Sequence, residues 1–224
     1  MTLQEAIVAR HSVRQYIDRP IEADKTARLQ QAVAEANEAA GLHLQLVTGE
    51  PRAFAGGMAK YGKFSGISNY LALVARKGLD EQVGYHGELI VLLAQTLGLN
   101  SCWVGLTFSK QPSSYCIAPG EKLYGVISLG YGLNQGVPHP HKPIEGFYTA
   151  SGEVPQWFRD GMEAALLAPT AMNMQKFGFE LLPDGSVRAH TRFSLIGTYL
   201  RIDLGIAKCH FELGAGKGNV RWAD

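Results

Sequence analysis

Two guanidinium groups and a hydroxyl stand within five residues at Arg10, Ser12 and Arg14, with His11 between them. Arginine offers several rigidly placed donors and serine one short donor, a combination that suits a phosphate; a solvated helix end with ordinary ion pairs uses the same residues. A second polar group, Ala168-Pro169-Thr170-Ala171-Met172-Asn173-Met174-Gln175, falls between a predicted helix and a predicted strand. Its small residues let backbone approach a ligand, and its amides present donors and acceptors, although a self-satisfied turn has the same composition. A third group, Asn100-Ser101-Cys102-Trp103-Val104-Gly105-Leu106, follows an apolar helix and enters a strand. There Gly105 can expose a backbone N–H where negative charge must be stabilised. Trp103 and Tyr70 serve either as cleft walls or as packing. Lys142 carries a positive charge in a loop with His139 and His141, where it suits a phosphate contact or plain solvation.

Other chemistries find no support in the pattern. His139 and His141 are too few for a zinc site, Cys102, Cys116 and Cys209 show no CxxC spacing, and Gly56-Gly57 is not a phosphate-binding Walker loop. No GxGxxG opens a strand-to-helix turn, and no Ser/His/Asp order stands out. Charged residues make up 18% of the chain and the net charge is +1, which leaves no global field for nucleic acid or acidic lipid. Residues 89–109 carry no charge, but Gly98, Asn100 and Ser101 interrupt them where a helix should stop, so a core helix entering a strand fits better than a membrane span. The N-terminus lacks the zones of a signal peptide, and the three cysteines read as buried thiols of a cytoplasmic protein.

At 224 residues and 46% hydrophobic, the chain can bury a full core, as one unit or as two closely packed halves. Thr2 and Glu5 form a candidate capping box for a short first helix ending near residues 10–12. A second helix is predicted over 22–40, closed by Gly41, and the alternation of Leu42, Leu44 and Leu46 predicts a strand. Further strands are expected at 70–74, 103–108, 123–129 and 177–181, with a return strand near Val187 and Ala189. Helices are expected over 81–97, from Pro155, and over 200–213. Together they predict an α/β or α+β protein with helices covering a sheet. A Pro-, Gly- and His-rich connector over 130–143 separates the portion 1–143 from the shorter portion 144–224. The two portions share a faint rhythm, an alanine-rich helix leading into a strand and a later helix ending in a glycine-rich turn, yet carry different polar residues.

The constellations resemble the nitroreductase superfamily of FMN flavoproteins. Residues 10–16 look like its R-x-S-x-R-x-[FY] motif and residues 169–175 like its P-[ST]-x-x-N-x-Q motif. Residues 97–103 look like G-L-G-[ST]-C-W, and Leu129-Gly130-Tyr131-Gly132 resembles its L-G-Y motif. The order departs from the ordinary pattern: the place expected for the Ser/Asn motif is Ala39-Ala40-Gly41-Leu42-His43-Leu44-Gln45, without the Asn, and the intact version arrives in the second half. Ordinary members are homodimers whose flavins draw one motif from each subunit. The resemblance therefore implies the single-chain branch, close to the TM nitroreductase family: an α+β, three-layer α/β/α fold duplicated into an intramolecular pseudo-dimer, with one FMN per chain. It further implies that Arg10, His11, Ser12 and Arg14, more loosely Lys142, hold the phosphate and ribityl chain. Pro169, Thr170, Ala171 and Asn173 would reach the isoalloxazine from the other half, with Trp103, Val104 and Gly105 beside its reactive edge.

The implied reaction takes hydride from NADH or NADPH and passes it to a small electron-poor acceptor such as a nitroaromatic or quinone. No side chain is expected to act as an essential acid or nucleophile; the cofactor carries the chemistry. The alternatives are a flavin-binding or sensing protein with little turnover, and a specialised flavin-fragmenting or dehalogenating enzyme.

Overall fold

The computed structural model describes residues 1–140, 142–194, 197 and 199–223; His141 lies outside them. The chain divides into two units, one of residues 9–79 and 89–138 with Met1, the other of residues 2–8, 80–88 and 139–224. This differs from a contiguous cut after residue 143 by the short segments 2–8, 80–88 and 139–143.

In the first unit, helix α2 (Ala23–Ala40) buries Leu29, Val33 and Ala36 at the three- and four-residue spacing of one helix face. It ends at Gly41, whose φ of 62° is the left-handed conformation that a Cβ penalises. The sheet that follows has the order β1 (Gln45–Val47), β2 (Asn69–Arg76), β4 (Glu121–Gly130), β3 (Asn100–Val104), with every neighbouring pair antiparallel. Strand β2 is buried from Asn69 to Ala75 and so reads as a continuous apolar run, the mark of a strand covered on both faces. Tyr70, Ala72, Cys102, Val104 and Val126 belong to one core cluster with Val13, Tyr16, Phe54 and Phe64. Tyr70 is 1% exposed and edge-on to Phe54 at 6.1 Å, so it is a core residue rather than a cleft wall.

The second unit holds a smaller sheet in which β6 (Phe177–Leu181) pairs parallel with β5 (Tyr148–Ala150) and antiparallel with β7 (Val187–Thr191). Helices α5 (Gln156–Leu166) and α6 (Leu200–Ala215) contribute Phe158 and Phe211 to an aromatic core in which Phe179 stacks on Phe211 at 4.7 Å. Helix α1 (Leu3–Ala9) starts on the expected capping box: the Thr2 N–H donates to Glu5 Oε2 at 2.7 Å and the Glu5 N–H to Thr2 Oγ1 at 3.2 Å. Helix α4 (Asp80–Thr96) begins in this unit and continues into the other. Its first turns meet α6 backbone to backbone at two glycines. A Cβ on Gly84 would stand 2.1 Å from the Ile202 carbonyl oxygen, and one on Gly205 2.0 Å from that of Glu81. The fully buried Glu88 and His210 face each other at this crossing, 2.9 Å apart.

Three sequence expectations shift. The strand expected at 103–108 is β3, beginning at Asn100 directly after the Gly98 turn and ending at Val104, so residues 105–108 are irregular. The strand expected at 42–46 starts only at Gln45, because 41–44 close the turn out of α2. Cys102 and Cys209 are buried, but Cys116 is exposed: Gln45 grips its backbone N–H and C=O, at 2.8 and 2.7 Å, and leaves the thiol outside. Among the described residues no helix is long and apolar enough to cross a membrane.

Candidate functional site

The arginine segment is an extended strip stitched to three parts of the first unit. The Val13 N–H donates to the Ser101 carbonyl at 3.0 Å beside a Ser12–Ser101 bridge, which lays the strip along the edge of β3. The Tyr16 N–H donates to Ser65 O and the Ser65 N–H to Arg14 O, both at 3.0 Å, while Leu133 N–H reaches Gln15 O at 2.9 Å. Tyr16 locks the strip from within: its hydroxyl donates to Val13 O at 2.7 Å and lies 2.9 Å from Ser128 Oγ. Backbone pairing thus fixes where residues 10, 12 and 14 can point. Arg10 is buried, His11 and Ser12 half-buried and Arg14 exposed.

The buried Cys102 thiol reports the local field. Burial pushes its pKa up, while Arg14, a Ser12 hydrogen bond and Arg10 all pull it down. Two guanidinium groups and a hydroxyl therefore act on one point of β3. On the same strand Trp103 is half-buried and Val104 buried, and Gly105 just past its end is exposed. The first and third constellations are thus brought together. The L-G-Y segment borders both: the Ile17 N–H donates to Tyr131 O at 2.7 Å and the Gly132 N–H to Asn100 Oδ1 at 2.9 Å, while the Tyr131 hydroxyl donates to Glu22 and accepts from Lys25 Nζ at 2.9 Å.

The second unit assembles another group. After Pro169 the chain makes a tight turn over Ala171–Asn173, and across it and the residues just after it Met172, Asn173 and Gln175 take positive φ values of 53°, 52° and 50°. Asparagine tolerates that region; for Met172 and Gln175 it is strain, of about 1–2 kcal/mol each. Several contacts hold the turn closed. The Gln175 N–H donates to Thr170 Oγ1 at 3.1 Å, and Gln175 Nε2 to Leu166 O at 3.3 Å. The Ala171 N–H donates to both carboxylate oxygens of Asp203, at 3.1 Å each.

The connector sits beside this turn. Asn173 Nδ2 donates to Pro140 O at 2.9 Å, and His139 Nε2 lies 3.3 Å from Leu167 O. Lys142 shares a cleft of about 320 Å³ with Phe147, Gln175, Lys176 and Arg192. Among the described residues, three cations and no carboxylate line it. Glu163 lines a neighbouring cleft with Lys142.

Sequence reading missed Asp203. It is 3% exposed on α6, and burial raises its carboxyl to about 7 against the lowering effect of the Ala171 N–H. A single acid among Ile202, Leu204, Gly205, Ile206 and Ala207 was the available signal, since a charge inside an apolar run is seldom idle. Lys176 and Arg192 carried no comparable mark.

A family model described as "Putative TM nitroreductase" matches residues 2–215. Among solved structures, a "putative nitroreductase" of Thermotoga maritima superposes with a TM-score of 0.67 at 21% identity, over 97% of this chain and 85% of that one. A "putative nitroreductase in complex with FMN" from Desulfovibrio desulfuricans gives a TM-score of 0.52 at 17% identity, over 65% of this chain and 94% of that one. At such identities the likeness is one of fold. No curated protein matches the sequence. With an α+β nitroreductase-like fold and a family match across nearly its whole length, the chain belongs to the TM nitroreductase family.

Proposed function

We propose that the protein is an FMN-dependent NAD(P)H oxidoreductase with one flavin per chain. The observation that carries this reading is the donor set along β3, where the strip bearing Arg10, Ser12 and Arg14 is paired to Ser101 and all three act on the same buried thiol. That is the chemistry of a phosphate site. It agrees with the FMN in the Desulfovibrio structure.

Bound to the protein, FMN supplies the redox chemistry, taking hydride from NADH or NADPH at N5 and passing it to an electron-poor acceptor such as a nitroaromatic or a quinone. The chain's own residues bind, orient and exclude water. Arg10, Ser12 and Arg14 hold the phosphate and ribityl chain, with His11 between them and Lys142 adding charge. Pro169, Thr170, Ala171 and Asn173 present a rigid edge of amides and apolar surface to the ring. Trp103 and Val104 wall its reactive edge, and the Gly105 N–H stabilises charge there. One flavin rather than two follows from the split between arginine and Ser/Asn motifs in a duplicated chain with halves 1–143 and 144–224, an intramolecular pseudo-dimer. Three free cysteines, one of them exposed, suit a reducing, cytoplasmic setting.

Purified protein incubated with FMN should turn yellow and bleach on anaerobic mixing with NADH or NADPH. No flavin uptake would overturn the cofactor. Uptake without bleaching by either donor would leave a flavin-binding protein without this activity.

A further inference from the structure

We propose that Asp203 is the positioning residue of the flavin-facing turn, and that ionisation of its carboxyl tightens the turn and with it FMN binding. The inference rests on the flavin reading above and assigns a role to a residue that reading does not use.

The geometry is specific. Asp203 is 3% exposed, and both its oxygens receive the same backbone N–H, that of Ala171. Ala171 opens the turn across and just after which Met172, Asn173 and Gln175 are left-handed. Such a conformation persists only where its surroundings over-determine it. Thr170 Oγ1 secures the far end through the Gln175 N–H, and Asp203 secures the near end. A carboxylate accepts an N–H more strongly than a neutral carboxyl does, so ionisation strengthens the near-end clamp while burial opposes ionisation. Neutral pH falls where the two balance, because the carboxyl is pushed up to about 7.

Charges on the packed elements do not account for this. The charged and titratable residues on the elements packed against α6 are Arg159, Asp160 and Glu163 on α5, Glu180 on β6, Arg188 and His190 on β7, Asp80, Glu81, His86 and Glu88 on α4, and Lys217. Glu180 pairs with Arg188, Glu81 with Lys208 and Glu88 with His210. Burial and the Ala171 N–H are the influences on Asp203.

The test compares wild-type protein, Asp203→Asn and Asp203→Ala, measuring FMN affinity at about pH 6 and about pH 8 together with the Ala171 amide resonance of the flavin-free protein. Asparagine keeps an acceptor oxygen without the titration, so Asp203→Asn should still bind FMN. Wild type should gain about threefold or more in affinity between the two pH values beyond the change in Asp203→Asn, which carries the contribution of the FMN phosphate itself. Asp203→Ala should lose about tenfold at the higher pH. The Ala171 amide should titrate in wild type and not in Asp203→Asn. Superimposed pH profiles for wild type and Asp203→Asn, or an Ala171 amide that titrates alike in both, would overturn the role of Asp203 while leaving the cofactor intact. Wild-type protein that takes up no FMN at either pH would overturn the flavin reading, and this role with it.

Discussion

The chain makes the passage from an alanine-rich helix to a strand twice, and the two connections are built on opposite principles. Between α2 and β1, Gly41 supplies the left-handed residue and Asn37 closes the loop on itself. Its Nδ2 donates to Leu44 O at 3.0 Å, and its Oδ1 accepts the Leu44 N–H at 2.8 Å. Between α5 and β6, non-glycine residues take the left-handed region and a buried acid from another helix holds them there. The first turn spends its polar groups on itself. The second keeps strain, with Asn173 half-buried and Met172 81% exposed. Backbone strain of this kind clusters at functional sites, and it sets the connection proposed to face the flavin apart from the relaxed one.

The largest way to break this contrast is through pH. Held at about 7 in the fold and near 3.8 when unfolded, Asp203 retains a proton between those values that the unfolded chain has released. Its contribution to stability is therefore fully present below about pH 4 and is lost as pH rises to about 7, a change on the order of several kcal/mol. Urea titrations across that window should show wild type weakening relative to Asp203→Asn, which should be the more stable protein above about pH 7. Equal slopes would mean that the carboxyl is not held neutral by burial.

Arg14→Ala should weaken FMN binding by about 1–3 kcal/mol while leaving riboflavin, which lacks the phosphate, unaffected. Calorimetry with both ligands tests this, and an equal loss for both would move Arg14 away from the phosphate. The two asparagines should dissociate cleanly. Asn37→Ala should cost about 1–2 kcal/mol of stability and no FMN affinity, whereas Asn173→Ala should cost affinity by a similar amount and little stability. The smallest effect is conformational: Gly41→Ala should destabilise by about 1 kcal/mol, and Met172→Gly should stabilise by up to about 1 kcal/mol, with thermal melts giving opposite signs.

Much of this was legible wherever a local rule decides the structure. The Thr2 and Glu5 capping box, the Gly41 stop and the apolar spacing of α2 each follow from one turn of chain. The three residues of β5 were not legible, because they become a strand only by pairing in parallel with β6 far along the sequence. The start of β3 at Asn100 was hidden for a related reason, since its polar Asn100 and Ser101 read as turn residues until the arginine strip and β4 bury them. At the candidate site the motifs mark segments by residue type and spacing, but what holds those segments in place was silent. Asp203 lies 32 residues from Ala171, and no periodicity announces that a carboxyl will be buried under a distant turn.

The central claim is that one chain carries one flavin because only one complementary pair of motifs survives. Native mass spectrometry of the FMN-saturated protein reads this directly. The account predicts one FMN for each 24.3 kDa chain. Two FMN per chain, or none, would contradict it.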